Sequence, residues 1–105
     1  MILLALLAAA VLEAGGDALI RGGLHRSGIM RAAFFACGAI ALFGYGGMVN
    51  APPWDFGRLL GIYVVFFFLI AQLVAWLAFG KTPSVAILIG GAQIVAGGVV
   101  IAIAE

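Results

Sequence analysis

The chain alternates between four long apolar stretches and three short breaks that are rich in glycine, proline or charge. Each apolar stretch holds about 20 residues, the length that an α-helix needs to cross the hydrocarbon core of a bilayer. The predicted spans are residues 2–22, 29–49, 56–79 and 84–104. The pattern therefore predicts an all-α membrane protein, with residues 1–105 forming one domain of four transmembrane helices and short loops.

Charge interrupts the first apolar stretch. Glu13, Asp17 and Arg21 recur at every fourth position, which places them on one face of an α-helix. An ionised acid near the centre of a bilayer costs roughly 2.5–3.5 kcal/mol on insertion scales. Small residues surround Glu13 in the sequence, so neighbouring helices can approach it closely or leave a cavity beside it. We therefore expect Glu13 to be the functional carboxylate and Asp17 to form an i,i+4 ion pair with Arg21.

Composition restricts the class of protein further. The chain has 105 residues, of which 67% are hydrophobic and only 9% are charged. A soluble domain of this size needs more charge to cover its surface, so the composition indicates an integral membrane protein. The net charge of +1 gives no reason to expect a nucleic-acid partner. The sequence has neither metal-ligand spacing nor a nucleophile–base pair, so we expect no metal, no cofactor and no enzymatic activity.

The loops differ in charge between the two sides of the predicted membrane. One side carries the basic residues Arg21, Arg26, Arg31 and Lys81, whereas the other has Arg58 opposed by Asp55 and Glu105. By the positive-inside rule, the first and third loops are expected to be cytoplasmic and both termini to face outward.

Glycines and aromatic residues suggest how the helices pack. Residues 22–28 are rich in glycine and charge and predict a loop, and the glycine cluster at 44–47 predicts close packing or a kink. The bulky run at 66–68 is expected to face lipid. The pairs Gly90-Gly91 and Gly97-Gly98 are two helical turns apart, which predicts one smooth face for another helix. Before the fourth span, Thr82 is expected to cap the helix.

Glu13, Gly16, Leu19 and Arg21 form a motif in the first span. It resembles a motif of the small multidrug resistance exporters of the drug/metabolite transporter superfamily. The motif is a membrane-embedded glutamate, a glycine three residues on, a leucine six on and a basic residue eight on. Here these positions are Glu13, Gly16, Leu19 and Arg21. The resemblance implies four helices per subunit, antiparallel dimers, and exchange of protons for cationic substrates. It also implies that Glu13 is the shared proton- and substrate-binding carboxylate.

The third and fourth spans extend the resemblance. The family's third helix begins with a glycine and has a Tyr-x-x-Trp pair, to which Leu60 and Tyr63 correspond here. This implies that Leu60 and Tyr63 line the binding pocket, with Tyr63 as an aromatic wall. The family's glycine heptad in the fourth helix is matched by Gly90 and Gly97, which implies a dimer interface there. From Gly57 onward the chain is more similar still to the YnfA-like branch.

Two departures from the family bear on the substrate. Asp17 stands where the family has a small or hydroxyl residue, which adds a second acid one turn from Glu13. Leu60 removes the hydrogen-bonding and cation–π group that a tyrosine would supply.

The functional hypothesis is a proton-coupled exporter of small cationic or hydrophobic compounds in the bacterial inner membrane. Its expected partners are protons, a small cationic substrate and membrane lipid. It would act as a homodimer, with antiparallel subunits favoured by the resemblance and parallel subunits as the alternative, or it would pair with a homologous subunit. Two alternatives are a small subunit of a lipid-carrier flippase and a non-transporting assembly protein. In the assembly protein, Glu13 would pair with Arg21 or Arg58 of a partner.

Overall fold

The computed structural model describes residues 1–104, in which the chain forms four α-helices. These are α1 (Ile2–Leu24), α2 (Gly28–Asn50), α3 (Phe56–Phe79) and α4 (Val85–Ala104). All four are long and apolar enough to cross a membrane. The prediction of an all-α chain with four potential membrane spans is thus confirmed. Glu105, which entered the comparison of loop charges, lies outside the described residues.

Close packing through glycines joins α1 to α2. A Cβ added to Gly16 would lie 2.8 Å from Cγ of Leu42 in α2, and one added to Gly23 would lie 2.7 Å from the ring of Phe35. The predicted loop over residues 22–28 is therefore too long. Its first glycines serve helix packing, so α1 continues to Leu24 and only residues 25–27 connect the two helices.

Side chains cap the starts of the last two helices. The Asp55 carboxylate accepts a hydrogen bond of 3.5 Å from the backbone N–H of Arg58 at the start of α3. At the start of α4, Ser84 Oγ accepts a hydrogen bond of 3.2 Å from the backbone N–H of Ile87. The prediction that Thr82 caps this helix is wrong. Only Ser84 directly precedes the first helical residue, where its hydroxyl reaches the unpaired N–H groups of the first turn.

The helices pack in the order α2, α1, α3, α4, so α1 and α3 are central and α4 contacts the rest of the bundle mainly through α3. Gly91 and Gly98 provide this contact, since they lie against Phe68 and Val65 of α3. By contrast, Cβ atoms added to Gly90 and Gly97 would have no neighbour within 4 Å. The prediction that the four glycines share one face of α4 is therefore wrong. Successive helical residues point about 100° apart, so each pair divides between an inner and an outer face.

The buried apolar side chains gather at the end of the bundle that contains Met1 and the start of α3, which we call the core end. They come from three helices: Leu6, Ala9, Ala10, Val49, Leu59, Ile62 and Tyr63. Phe66 and Phe67 pack against this cluster, and Phe68 packs against Gly91. The expectation that residues 66–68 face lipid is therefore wrong, because the glycines of α4 leave room for an aromatic ring between the helices.

The opposite end of the bundle, which we call the basic end, holds the first and third loops. There the guanidinium group of Arg21 lies 5.7 Å from the ring centroid of Phe79, so the ends of α1 and α3 are close together. Arg26 and Arg31 stack on aromatic rings of α2. These contacts hold arginines where the chain is expected to leave the bilayer, a position at which long basic side chains are stable.

Candidate functional site

Glu13 lies midway along α1 and bonds directly to α3. The hydroxyl of Tyr63 donates a hydrogen bond of 2.9 Å to Oε1 of Glu13. Tyr63 is only 4% exposed, whereas Glu13 is half-buried. Among residues 1–104 this is the only hydrogen bond between two side chains. Within the described bundle it therefore gives the position of the Glu13 carboxylate relative to α3.

The sequence around Glu13 allows the neighbouring helices to come this close. Ala9, Ala10 and Ala14 are buried, and Gly16 lies against the backbone of Gly38 in α2. Small side chains on α1 thus let α2 and α3 approach the carboxylate from two sides.

Three aromatic rings form a wall beside the carboxylate. The ring of Tyr63 is stacked on that of Tyr45 in α2, with 5.6 Å between centroids and 30° between planes. The ring of Tyr63 also lies near that of Phe67, with 6.4 Å between centroids. Aromatic faces attract cations, most strongly where water is excluded. A positive group bound by Glu13 would therefore have ring faces nearby.

Tyr45 is the member of this wall that sequence reasoning missed. It lies within the glycine cluster at 44–47, which was expected to serve close packing or a kink. Of these glycines only Gly44 has a neighbour in the direction of an added Cβ, namely Leu12 at 3.5 Å. Tyr45 is the one aromatic residue with a polar group in α2, and this could have marked it as a candidate.

Leu60 lies one helical turn before Tyr63 and packs against the core end. It is half-buried and has no polar side-chain atom, so it can border the site only through apolar contact. Leu60 thus lies near Tyr63, and of the two residues only Tyr63 can form a side-chain hydrogen bond.

A cavity of about 220 Å³ lies between α1 and α3, on the basic-end side of Glu13. It is lined from α1 by Ala14, Asp17, Ala18 and Arg21, and from α3 by Phe67, Ala71, Val74, Ala75 and Phe79. The cavity begins one residue after Glu13, and Phe67 belongs to both the cavity and the aromatic wall. Glu13 therefore lies at a boundary, with packed side chains toward the core end and open space toward the basic end.

Asp17 and Arg21 both line this cavity, but they do not form the predicted ion pair. No salt bridge within 4.0 Å joins them in the described structure, and the Arg21 guanidinium lies over the Phe79 ring instead. Reaching toward the end of the helix gives the arginine a cation–π contact near the expected membrane surface. The carboxylate of Asp17 is consequently exposed and unpaired within residues 1–104.

The predicted interface glycines are remote from this site. Gly90 and Gly97 lie on the outer face of α4, and the structure does not bring them together with Glu13. In residues 1–104, no group of three or more His, Cys, Asp or Glu side chains could hold a metal ion.

Comparison of the chain with protein-family models, with curated proteins and with solved structures gives no match.

Proposed function

We propose that this protein is a proton-coupled exporter of small cationic compounds in the bacterial inner membrane, related to the small multidrug resistance exporters. The observation that carries the proposal is the hydrogen bond between Tyr63 and Glu13. It holds a half-buried carboxylate beside a wall of aromatic rings, midway along a helix that is long and apolar enough to cross a membrane. This arrangement suits the binding of a proton or an organic cation.

Competition for one carboxylate supplies the coupling. An ionised and unpaired Glu13 is costly in apolar surroundings, so the carboxylate is stable when it carries a proton or is paired with a cation. When a cation binds, the Glu13 proton leaves. When a proton returns, the O–H bond forms again and the cation is released. Because a proton and a cation exclude each other at Glu13, the net result is exchange of protons for cations.

The unequal packing of the two ends supplies the access route. The cavity beside Glu13 lies toward the basic end, which the positive-inside rule assigns to the cytoplasm. In the other direction Leu6, Val49 and Leu59 are almost completely buried and block the route. Export requires that α1 and α3 separate around these three residues. It also requires that the two helices come together at the basic end, between Arg21 and Phe79. A cation that enters from the cytoplasmic cavity then leaves on the opposite side.

The proposed functional unit is a dimer. One chain leaves Glu13 and Asp17 partly uncovered, and ionisable groups exposed to lipid are costly. The outer glycines Gly90 and Gly97 offer a surface on which a second helix can pack closely. The resemblance to the small multidrug resistance exporters implies that two antiparallel copies meet along this surface. A homologous subunit of opposite orientation would fit the same surface, and it would also balance the excess of basic residues on one side.

Transport by the purified protein in liposomes tests the proposal. We expect guanidinium or quaternary ammonium ions to drive proton movement in the opposite direction in wild type, as reported by a pH-sensitive dye. Glu13→Gln should abolish this exchange. Asp55→Asn, which removes a carboxylate at the core end and keeps a capping side chain, should retain it.

Failure of the purified wild type to exchange either cation would contradict the proposal. It would favour a flippase subunit or an assembly protein, neither of which is expected to transport alone.

A further inference from the structure

The cavity between α1 and α3 contains a charge that the proposed function does not use. Among residues 1–104, only Asp17 and Arg21 are charged residues that line this cavity, and Arg21 is engaged with Phe79. Asp17 has neither an ion pair nor a side-chain hydrogen bond in the described part of the chain. It precedes Leu24, the last residue of α1, by seven positions, which is about 10 Å along the helix. An unpaired carboxylate at such a depth is costly, so a positive group from outside the chain would stabilise it.

The position of Asp17 relative to Glu13 limits what that positive group can be. The two residues lie on one face of α1, about 6 Å apart along the helix axis. Phe67 lines the cavity and also contacts Tyr63, so the Asp17 cavity and the Glu13 site share a wall. Apart from Asp17 and Arg21, the residues that line the cavity are apolar. A ligand with two cationic ends joined by a short hydrocarbon chain matches this pattern.

We propose that Asp17 is a specificity-determining residue that selects linear diamines, with one ammonium group at Glu13 and the other at Asp17. The inference rests on the proposed function, because it takes Glu13 as the first cation site. The hydrocarbon chain of the diamine packs against Ala14 and Phe67. Arg21 lies one turn beyond Asp17 and repels a third positive group, so a diamine is favoured over longer polyamines.

Isothermal titration of the full-length protein with two amines tests this inference. Putrescine has a four-carbon chain with an amine at each end, and butylamine has the same chain with one amine. We expect wild type to bind putrescine at least about tenfold more tightly than butylamine, since a close ammonium–carboxylate pair contributes this much or more to binding. Asp17→Asn should remove the preference, so that putrescine and butylamine bind with similar affinities. The matched variant Asp55→Asn should keep the wild-type preference.

Several results would overturn the inference. Equal affinities in wild type, or a diamine preference that persists in Asp17→Asn, would show that Asp17 does not bind the second amine. If instead a second copy supplies the positive partner, Asp17→Asn will change the oligomeric state measured by light scattering.

The same titration distinguishes this inference from the proposed function. Glu13-dependent butylamine binding without diamine preference would remove the role of Asp17 and leave the exporter. Absence of binding by both amines would contradict the diamine inference, whereas the exporter is contradicted by failure to exchange guanidinium and quaternary ammonium ions.

Discussion

The hydroxyl of Tyr63 on α3 donates a hydrogen bond of 2.9 Å to the carboxylate of Glu13 on α1. The same tyrosine presents its ring to Tyr45 and Phe67. One residue thus orients the acid and provides part of the aromatic surface beside it. In the proposed exporter, a cation that binds Glu13 meets both groups of Tyr63.

Two conservative substitutions separate the roles of hydroxyl and ring. Tyr63→Phe keeps the ring and removes the donor. We expect transport to fall at least about tenfold, because a hydrogen bond to a charged group contributes roughly 1.5–3 kcal/mol. Tyr45→Phe should retain transport, since within residues 1–104 Tyr45 contributes a ring contact and no side-chain hydrogen bond. Initial rates of cation-driven proton flux in liposomes measure both. Full activity of Tyr63→Phe would show that Tyr63 acts through its ring and not through its hydroxyl.

Neighbouring glycines of α1 should differ sharply in their tolerance of a methyl group. Gly16→Ala places a Cβ 2.8 Å from Leu42 and 3.1 Å from the carbonyl oxygen of Gly38. Such overpacking costs about 1–3 kcal/mol, so we expect weaker packing of α1 on α2 and earlier thermal unfolding. Gly15→Ala meets nothing within 4 Å and should be neutral or stabilising, because alanine favours helix. Thermal unfolding followed by circular dichroism in detergent compares them. Equal destabilisation by both changes would contradict the α1–α2 interface.

The two faces of α4 predict different consequences for fold and assembly. Gly98→Leu inserts a side chain against Val65 of α3 and should lower the thermal stability of the subunit itself. Gly97→Leu points away from the bundle and should leave the stability of the monomer unchanged while weakening the dimer. Light scattering gives the association state, and unfolding at dilution gives the monomer stability. A Gly97→Leu protein that still dimerises like wild type would exclude this interface.

The rate at which an introduced cysteine reacts with a thiol reagent should differ between the cavity and the core end. In a Cys37→Ala background, Ala18→Cys lines the cavity and should react with a small hydrophilic thiol reagent. Ala9→Cys is fully buried at the core end and should be protected. Added substrate should slow the labelling of position 18, because the cation fills the same space. Equal labelling rates at positions 9 and 18 would contradict the difference in packing between the two ends.

The four helices and the position of Glu13 midway along α1 could be predicted, because each depends on local sequence. Apolar runs of membrane-spanning length indicate the four helices, and the cost of a carboxylate within a membrane span singles out Glu13. The pairing of Glu13 with Tyr63 depends on how α3 packs on α1, and the sequence alone shows only that both residues are polar groups in apolar spans.

The features that sequence reasoning missed depend on contacts between helices. Tyr45 joins the site because α2 brings its ring onto Tyr63, and nothing in the spacing of α2 indicates this. Arg21 lies within one turn of Asp17, yet a ring on α3 competes for its guanidinium group. Gly23 resembles a loop residue in the sequence, but in the structure Phe35 of α2 occupies the space beside it.

Proton release on cation binding tests the central claim most directly, because the claim is that Glu13 holds either a proton or a cation. The measurement uses purified protein in weakly buffered detergent solution, at a pH where Glu13 is protonated, and follows the pH as a quaternary ammonium ion is added. We predict release in proportion to the cation bound by wild type, and neither binding nor release by Glu13→Gln. Cation binding by wild type without proton release, or equal release by Glu13→Gln, would contradict the proposed coupling.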